Sequence, residues 1–176
     1  MQRRTMLIGL AAIIGAGVWY AFRPERLFID KSVNESFSAV AAAPEQQGIA
    51  MSRATEGTTA ARAIASGRFH GVAHATRGTA TVYELPSGKR VLRFTDFRTS
   101  NGPDVRVYLV AASDANDDAT VTRAGYLEVA PIKGNTGNQN YDLPAGADLS
   151  RYRAVTIWCH RFNVNFATAP LAGAQE

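Results

Sequence analysis

The chain has 176 residues, enough for one domain with extensions. Hydrophobic residues make up 46% and charged residues 19%, which is ordinary for a globular protein whose apolar count is raised by a membrane segment. The net charge of +4 is scattered: 23–65 hold five basic and five acidic residues and 66–176 hold twelve and ten, so no basic stripe supports nucleic-acid binding.

Arg3 and Arg4 precede an uncharged apolar run, 5–22, that closes on Trp19, Tyr20 and Phe22. A helix of about 18 residues covers ~27 Å, close to the ~30 Å hydrocarbon core of a bilayer. The aromatic end suits a membrane–water interface. A cleaved signal peptide is the rival reading, but the run lacks a clean small-residue cleavage site. No cysteine stands there to carry a lipid. The expectation is therefore an uncleaved transmembrane signal-anchor at 5–22, with 1–4 as a short cytoplasmic tail. The rest of this single-pass membrane protein then faces the periplasm or the cell exterior.

Residues 23–66 read as a juxtamembrane segment and flexible linker. Within them 27–30 read as a short strand or docking segment, and 36–65 are rich in Ala, Ser, Thr, Gly and Gln.

From Gly67 the texture changes. Short runs rich in Val, Phe, Tyr and Thr alternate with Gly, Pro, Asn and Asp. The pattern predicts strands near 68–73, 79–85, 89–95, 105–111, 125–129, 138–142, 154–159 and 163–167, with turns at 86–88, 101–103 and 133–137. No long helical periodicity follows Gly67, so helices are minor. The fold class expected is all-β, an antiparallel β-sandwich or small barrel over 67–171, preceded by one N-terminal transmembrane helix. Residues 172–176 are a tail.

The one cysteine, Cys159, stands between Trp158 and His160 in a predicted hairpin. A lone cysteine makes no intrachain disulfide. In an oxidising compartment it is buried, paired with another molecule, or a reactive thiol. Side chains of a strand alternate between faces. Val155, Ile157 and Cys159 then share one face, and Thr156, Trp158 and His160 the other. The apolar companions make Cys159 a core residue; a redox thiol, the other reading, needs a positive neighbour and some exposure, and His160 and Arg161 are adjacent in sequence but project away from it.

His70 and His74 suggest a metal pair. Four residues along a strand separate them by about 13 Å, too far to grip one ion. Asp114, Asp117 and Asp118 begin like a calcium loop, but Ala119 and Gly125 stand where that loop needs glycine and glutamate. No metal ligand set is assigned. Hydrolase elbows, phosphate-binding loops and dinucleotide fingerprints are absent.

Several motifs in one order resemble the DM13 domain family from about Ser66 to Leu171. They include Gly67, Arg68 and Phe69; His74 with Gly78, Thr79 and Ala80; Asp96 and Phe97; and Gly102 through Leu109. They continue with Lys133, Gly134 and Asn135, with Gly137 through Tyr141, with Leu143 and Pro144, and with Val155 through Cys159. Phe162, Phe166, Ala169 and Leu171 complete the set. The stretches 22–25 and 30–35 are similar to the juxtamembrane part of membrane-anchored bacterial members.

The resemblance implies a β-rich extracellular or periplasmic module with a redox or electron-transfer role, carried here by Cys159 alone. It implies a separate redox protein as partner. No cofactor is predicted on this chain, and haem or copper would enter only through that unidentified partner. The alternative is a non-catalytic ligand- or protein-binding module in which Cys159 is core. Its binding-loop candidates are Asn101, Gly102, Pro103, Asp104, Asn135 and Asn138, with Trp158 and His160 beside them.

Overall fold

The computed structural model describes residues 29–37 and 61–173, together with Gly15 and Tyr20. The expected membrane segment 5–22 lies, apart from those two residues, outside the described part. Among the described residues no helix is long and apolar enough to cross a membrane.

Ten strands form the domain in chain order: β1 (Arg62–Arg68), β2 (His70–Gly71), β3 (Arg77–Glu84), β4 (Arg90–Arg98), β5 (Val105–Val110), β6 (Tyr126–Pro131), β7 (Thr136–Leu143), β8 (Ala154–Cys159), β9 (Val164–Pro170) and β10 (Ala172–Gly173). One short helix, α1 (Asp118–Ala124), interrupts them between β5 and β6. The strands make two five-stranded sheets. Sheet A runs β10-β1-β3-β4-β7 and sheet B runs β2-β9-β8-β5-β6. All strand pairs within them are antiparallel. This bears out the all-β antiparallel expectation.

The sheets share one core. Ala80, Val82, Leu92, Phe94 and Tyr141 of sheet A meet Val107, Leu109, Val155, Ile157 and Ala167 of sheet B. The period-two alternation of the strands explains this, because one face of each sheet is apolar and must be buried. A second, smaller core lies outside sheet B. There Tyr108, Val110, Ala154 and Trp158 pack beneath Ala115 and Val121.

The predicted strand 68–73 is two strands in different sheets. β1 belongs to sheet A and β2 to sheet B, and the chain crosses between them at Phe69. That ring is buried against Phe94 and Phe97, at 5.0 and 5.1 Å between centroids. The crossing brings Gly67 so close to the Pro170 carbonyl that a Cβ would collide with it at 1.8 Å.

The helix α1 was not expected. Asp117 caps it by accepting a hydrogen bond from the Thr120 N–H at 2.6 Å, and Gly125 closes it. The acidic run at 114–118 is therefore a helix start. Asp118 in turn accepts from the Asn165 N–H at 2.6 Å, which ties α1 to β9.

Residues 23–66, expected as juxtamembrane segment and linker, contribute to the domain at two places. β1 begins at Arg62. Residues 31–36 run alongside β7, with a parallel bridge from Ser32 to Thr136. The Val33 N–H donates to the Thr136 carbonyl and the Glu35 N–H to the Asn138 carbonyl, at 3.0 and 2.9 Å. Without residues 31–36, β7 would be an exposed edge of sheet A. A segment that pairs with it removes that exposed edge.

Candidate functional site

Cys159 is the last residue of β8, and it is fully buried and not in a disulfide. It stands opposite Val105 of β5 and Val164 of β9. As expected, Val155, Ile157 and Cys159 share the inter-sheet core, while Trp158 faces the outer one. Immediately beyond Cys159 the chain turns through 160–163, all exposed, to enter β9. Asn163 sits in the left-handed region with φ 53°, a conformation that asparagine tolerates well. A thiol at full depth is thus one residue from solvent-exposed backbone.

The other predicted residues separate into two places. Asn101, Gly102 and Asn135 line one cavity of about 550 Å³ with Ile29, Asp30 and Lys31. Asp30, Asn101 and Asn135 are already engaged there. The Asn135 amide donates to the Asp30 carboxylate at 2.7 Å and to the Thr99 carbonyl at 3.2 Å, and its oxygen accepts from the Lys31 N–H at 2.6 Å. The Asn101 amide donates to the Ile29 carbonyl at 3.1 Å. Gly102 is a packing position: a Cβ there would lie 2.6 Å from Val105 Cγ2 and 3.0 Å from the Phe166 ring. Asn138 lies nearby on β7, where its side-chain oxygen accepts from the Asp96 N–H at 2.9 Å in the β4 bulge. These loops hold the N-terminal segment.

Lys133 and Glu35 complete that attachment. Lys133 Nζ donates to both Glu35 oxygens at 2.7 and 3.0 Å and to the Asn140 carbonyl at 2.6 Å. Burial acts to raise the Glu35 pKa. The bonds from Lys133 and the Asn140 N–H, with the charges of Lys133 and Arg93, outweigh it and hold the carboxyl below its usual range.

The second place is the outer face of sheet B, where Asp104, Trp158 and His160 gather. Pro103 beside them is exposed. Arg106 grips Asp104 through two nitrogens at 2.8 and 3.1 Å and reaches Glu128 at 2.6 Å. Those bonds hold Asp104 ionised and raise the Arg106 pKa further. The His160 N–H donates to the Asp104 carbonyl at 2.8 Å, which fixes the ring's base. His160 Nδ1 lies 3.1 Å from the Tyr108 hydroxyl. Tyr108 is buried, and burial pushes its pKa up to about 12.

Sequence reasoning missed Tyr108 and Tyr126 as members of this group. The signal lies in register, since β5 pairs with both β6 and β8 and places Tyr108 beside residues distant in sequence. Of the two histidines four residues apart, His70 bonds Asp114 at 2.9 Å and His74 packs on Phe166 at 3.9 Å between centroids. Among the described residues no group of three or more His, Cys, Asp or Glu side chains is placed to hold a metal ion.

A family model described as electron transfer DM13 matches residues 68–171, more than half of the chain. The chain belongs to the DM13 family. No curated protein and no solved structure matches it. The matched DM13 region begins at the last residue of β1 and ends just before β10, so it takes in all of sheet B, α1, and β3, β4 and β7 of sheet A.

Proposed function

We propose that this DM13 chain is an extracytoplasmic module, tethered to a membrane by 5–22, that exchanges electrons with a separate redox protein through Cys159. The family match supports the electron-transfer part. The uncharged run at 5–22 supports the tether. One observation shapes the mechanism: Cys159 is fully buried yet ends β8 at an exposed turn. The thiol is therefore inert in the closed state and reacts only when the hairpin end opens locally. Once open, two-electron oxidation by a peroxide-class oxidant gives a sulfenic acid as the peroxide O–O bond breaks, or attack of the thiolate on a disulfide of the partner gives a mixed disulfide and releases the partner's other sulfur as a thiolate. Haem or copper belongs to the partner in this reading.

A second reading rests on the same burial. Cys159 is then only a core residue, and the module binds a protein or ligand without chemistry of its own. The two readings part in one experiment on the full chain, with a maleimide reagent added under native conditions. Labelling that proceeds without global unfolding, at a rate that stops rising with reagent concentration, is the signature of local opening at the hairpin. Loss of electron exchange with redox mediators in Cys159→Ser must accompany it. Labelling only after the whole domain unfolds leaves the binding reading.

A further inference from the structure

The outer face of sheet B carries a row of oxidisable rings that the thiol reading does not use. Tyr126 of β6 is 44% exposed. Its ring stacks on Tyr108 at 4.5 Å between centroids, with the planes 7° apart. Tyr108 stacks in turn on Trp158 at 6.3 Å and 24°. Both inner rings are buried, Tyr108 at 0% and Trp158 at 2% exposure. Trp158 is the chain neighbour of Cys159. A path of near-contact rings thus runs from solvent to the residue before the thiol.

Two more features fit electron transfer. Tyrosine and tryptophan are, with thiols, the side chains most readily oxidised by one electron, and transfer between rings in contact is fast. A phenol that loses an electron becomes strongly acidic, so its oxidation is favourable only where a base stands ready to take the proton. His160 Nδ1, 3.1 Å from the Tyr108 hydroxyl, is such a base. Asp104 is held ionised by Arg106 and also feels the charge of His160, so it stabilises an imidazolium once formed.

We propose that Tyr126, Tyr108 and Trp158, with His160 as proton acceptor, form a proton-coupled electron relay between the surface and the strand position beside Cys159. The proposal rests on the electron-transfer reading only for its physiological oxidant, a one-electron redox protein with a metal centre that docks at Tyr126. In the step, one electron leaves Tyr108 through Tyr126 and reduces that oxidant by one equivalent. The Tyr108 O–H bond breaks and an N–H bond forms at His160 Nδ1. A neutral tyrosyl radical and an imidazolium remain. His160 must begin neutral, with its proton on Nε2.

The test uses the full chain in detergent micelles, with photogenerated tris(bipyridine)ruthenium(III) as oxidant. Transient absorbance and electron paramagnetic resonance follow the radical. A fast tyrosyl phase is expected, slowed in deuterium oxide and removed by Tyr108→Phe, with circular dichroism unchanged. His160→Ala is expected to slow that phase by about 100-fold, the low end of what a positioned base contributes. Imidazole in the buffer is expected to restore it, which a merely structural role for His160 would not allow. Should Tyr108→Phe disturb the fold, Tyr126→Phe on the exposed edge replaces it, and a slower phase is expected. A fast tyrosyl signal indifferent to Tyr108 or Tyr126, or a rate indifferent to His160, overturns the relay. That failure leaves the thiol reading intact, because the latter is read from Cys159 and mediators. Loss of the thiol reading with the radical phase preserved would leave the relay standing.

Discussion

Two polar regions of this domain are built from similar materials and end differently. At the β7 edge, Asn135, Asn138, Asn140, Lys133 and Glu35 bond to one another and to backbone of the chain itself. Asn140 accepts from Arg93 at 2.7 Å and donates to the Ser36 carbonyl at 3.0 Å. On the outer face of sheet B, the Tyr108–His160 pair has two open ends, an exposed imidazole and an exposed Tyr126 ring. A closed network fixes structure, because each group already has its partner. An open one can pass a proton or an electron onward. The asparagine-rich loops, attractive as binding loops in sequence, belong to the first kind.

Damage to the closed network therefore shows up as lost stability. Asn135→Ala removes the partners of the Thr99 carbonyl and the Lys31 N–H at a buried site. The expected cost is about 2 kcal/mol, since groups left buried and unpaired cost roughly 1–3 kcal/mol each and the Lys31 side retains some water. Urea unfolding measures it. The radical phase of the outer face should not change. An Asn135→Ala protein of undiminished stability would mean that the loop is not structural, and would restore it as a ligand site.

Cys159→Ala comes next, at roughly 1 kcal/mol, because it removes one sulfur from a packed apolar core. The same variant abolishes mediator exchange if the thiol reading holds. A fall in stability well above that size, with exchange kept, would make Cys159 purely structural.

Much of the sandwich was legible in the sequence, and the reasons are local. Val155, Ile157 and Cys159 alternate with Thr156 and Trp158, and alternation of this kind assigns faces before any partner is known. The turn at 86–88 was legible from Pro86 and Gly88, and Gly88 takes the positive φ of 76° that such turns need. Pairing was not legible. Tyr108 and His160 are 52 residues apart, and Glu35 and Lys133 are 98 apart. Nothing in either segment alone announces such a partner. The helix α1 lies between these cases, because Asp117 and Gly125 are an ordinary cap and stop around a run too short for periodicity to show.

A smaller effect separates the two regions at high pH. Burial raises the Tyr108 pKa to about 12, whereas the unfolded chain ionises near ~10. The contribution of the protonated phenol is complete below ~10 and is lost as pH rises toward the folded value. Tyr108→Phe should therefore flatten the fall in stability between pH ~10 and about 12. Buried Tyr141, whose pKa burial also raises, keeps part of that slope in the variant. Thermal unfolding across that range checks it, and an unchanged slope would place Tyr108 in contact with water.

The smallest effect tests the closed network from the acid side. The Glu35 pKa is lowered in the folded state, so its contribution is present at neutral pH and is lost as pH falls through the folded value. Glu35→Gln should mimic the acid form at pH 7, loosening residues 31–36 from β7 while both sheets persist. Hydrogen exchange at the Val33 and Glu35 amides, which bond β7 in the native chain, reports that release. The paired Lys133 is 41% exposed, so solvent screens much of the ion pair and global stability should hardly move. Faster exchange confined to those amides would show that the segment is fastened at its own site, independently of the core. Exchange that spreads into β7 and β4 would instead make the segment part of sheet A, and the domain would then begin well before the first residue of its family match.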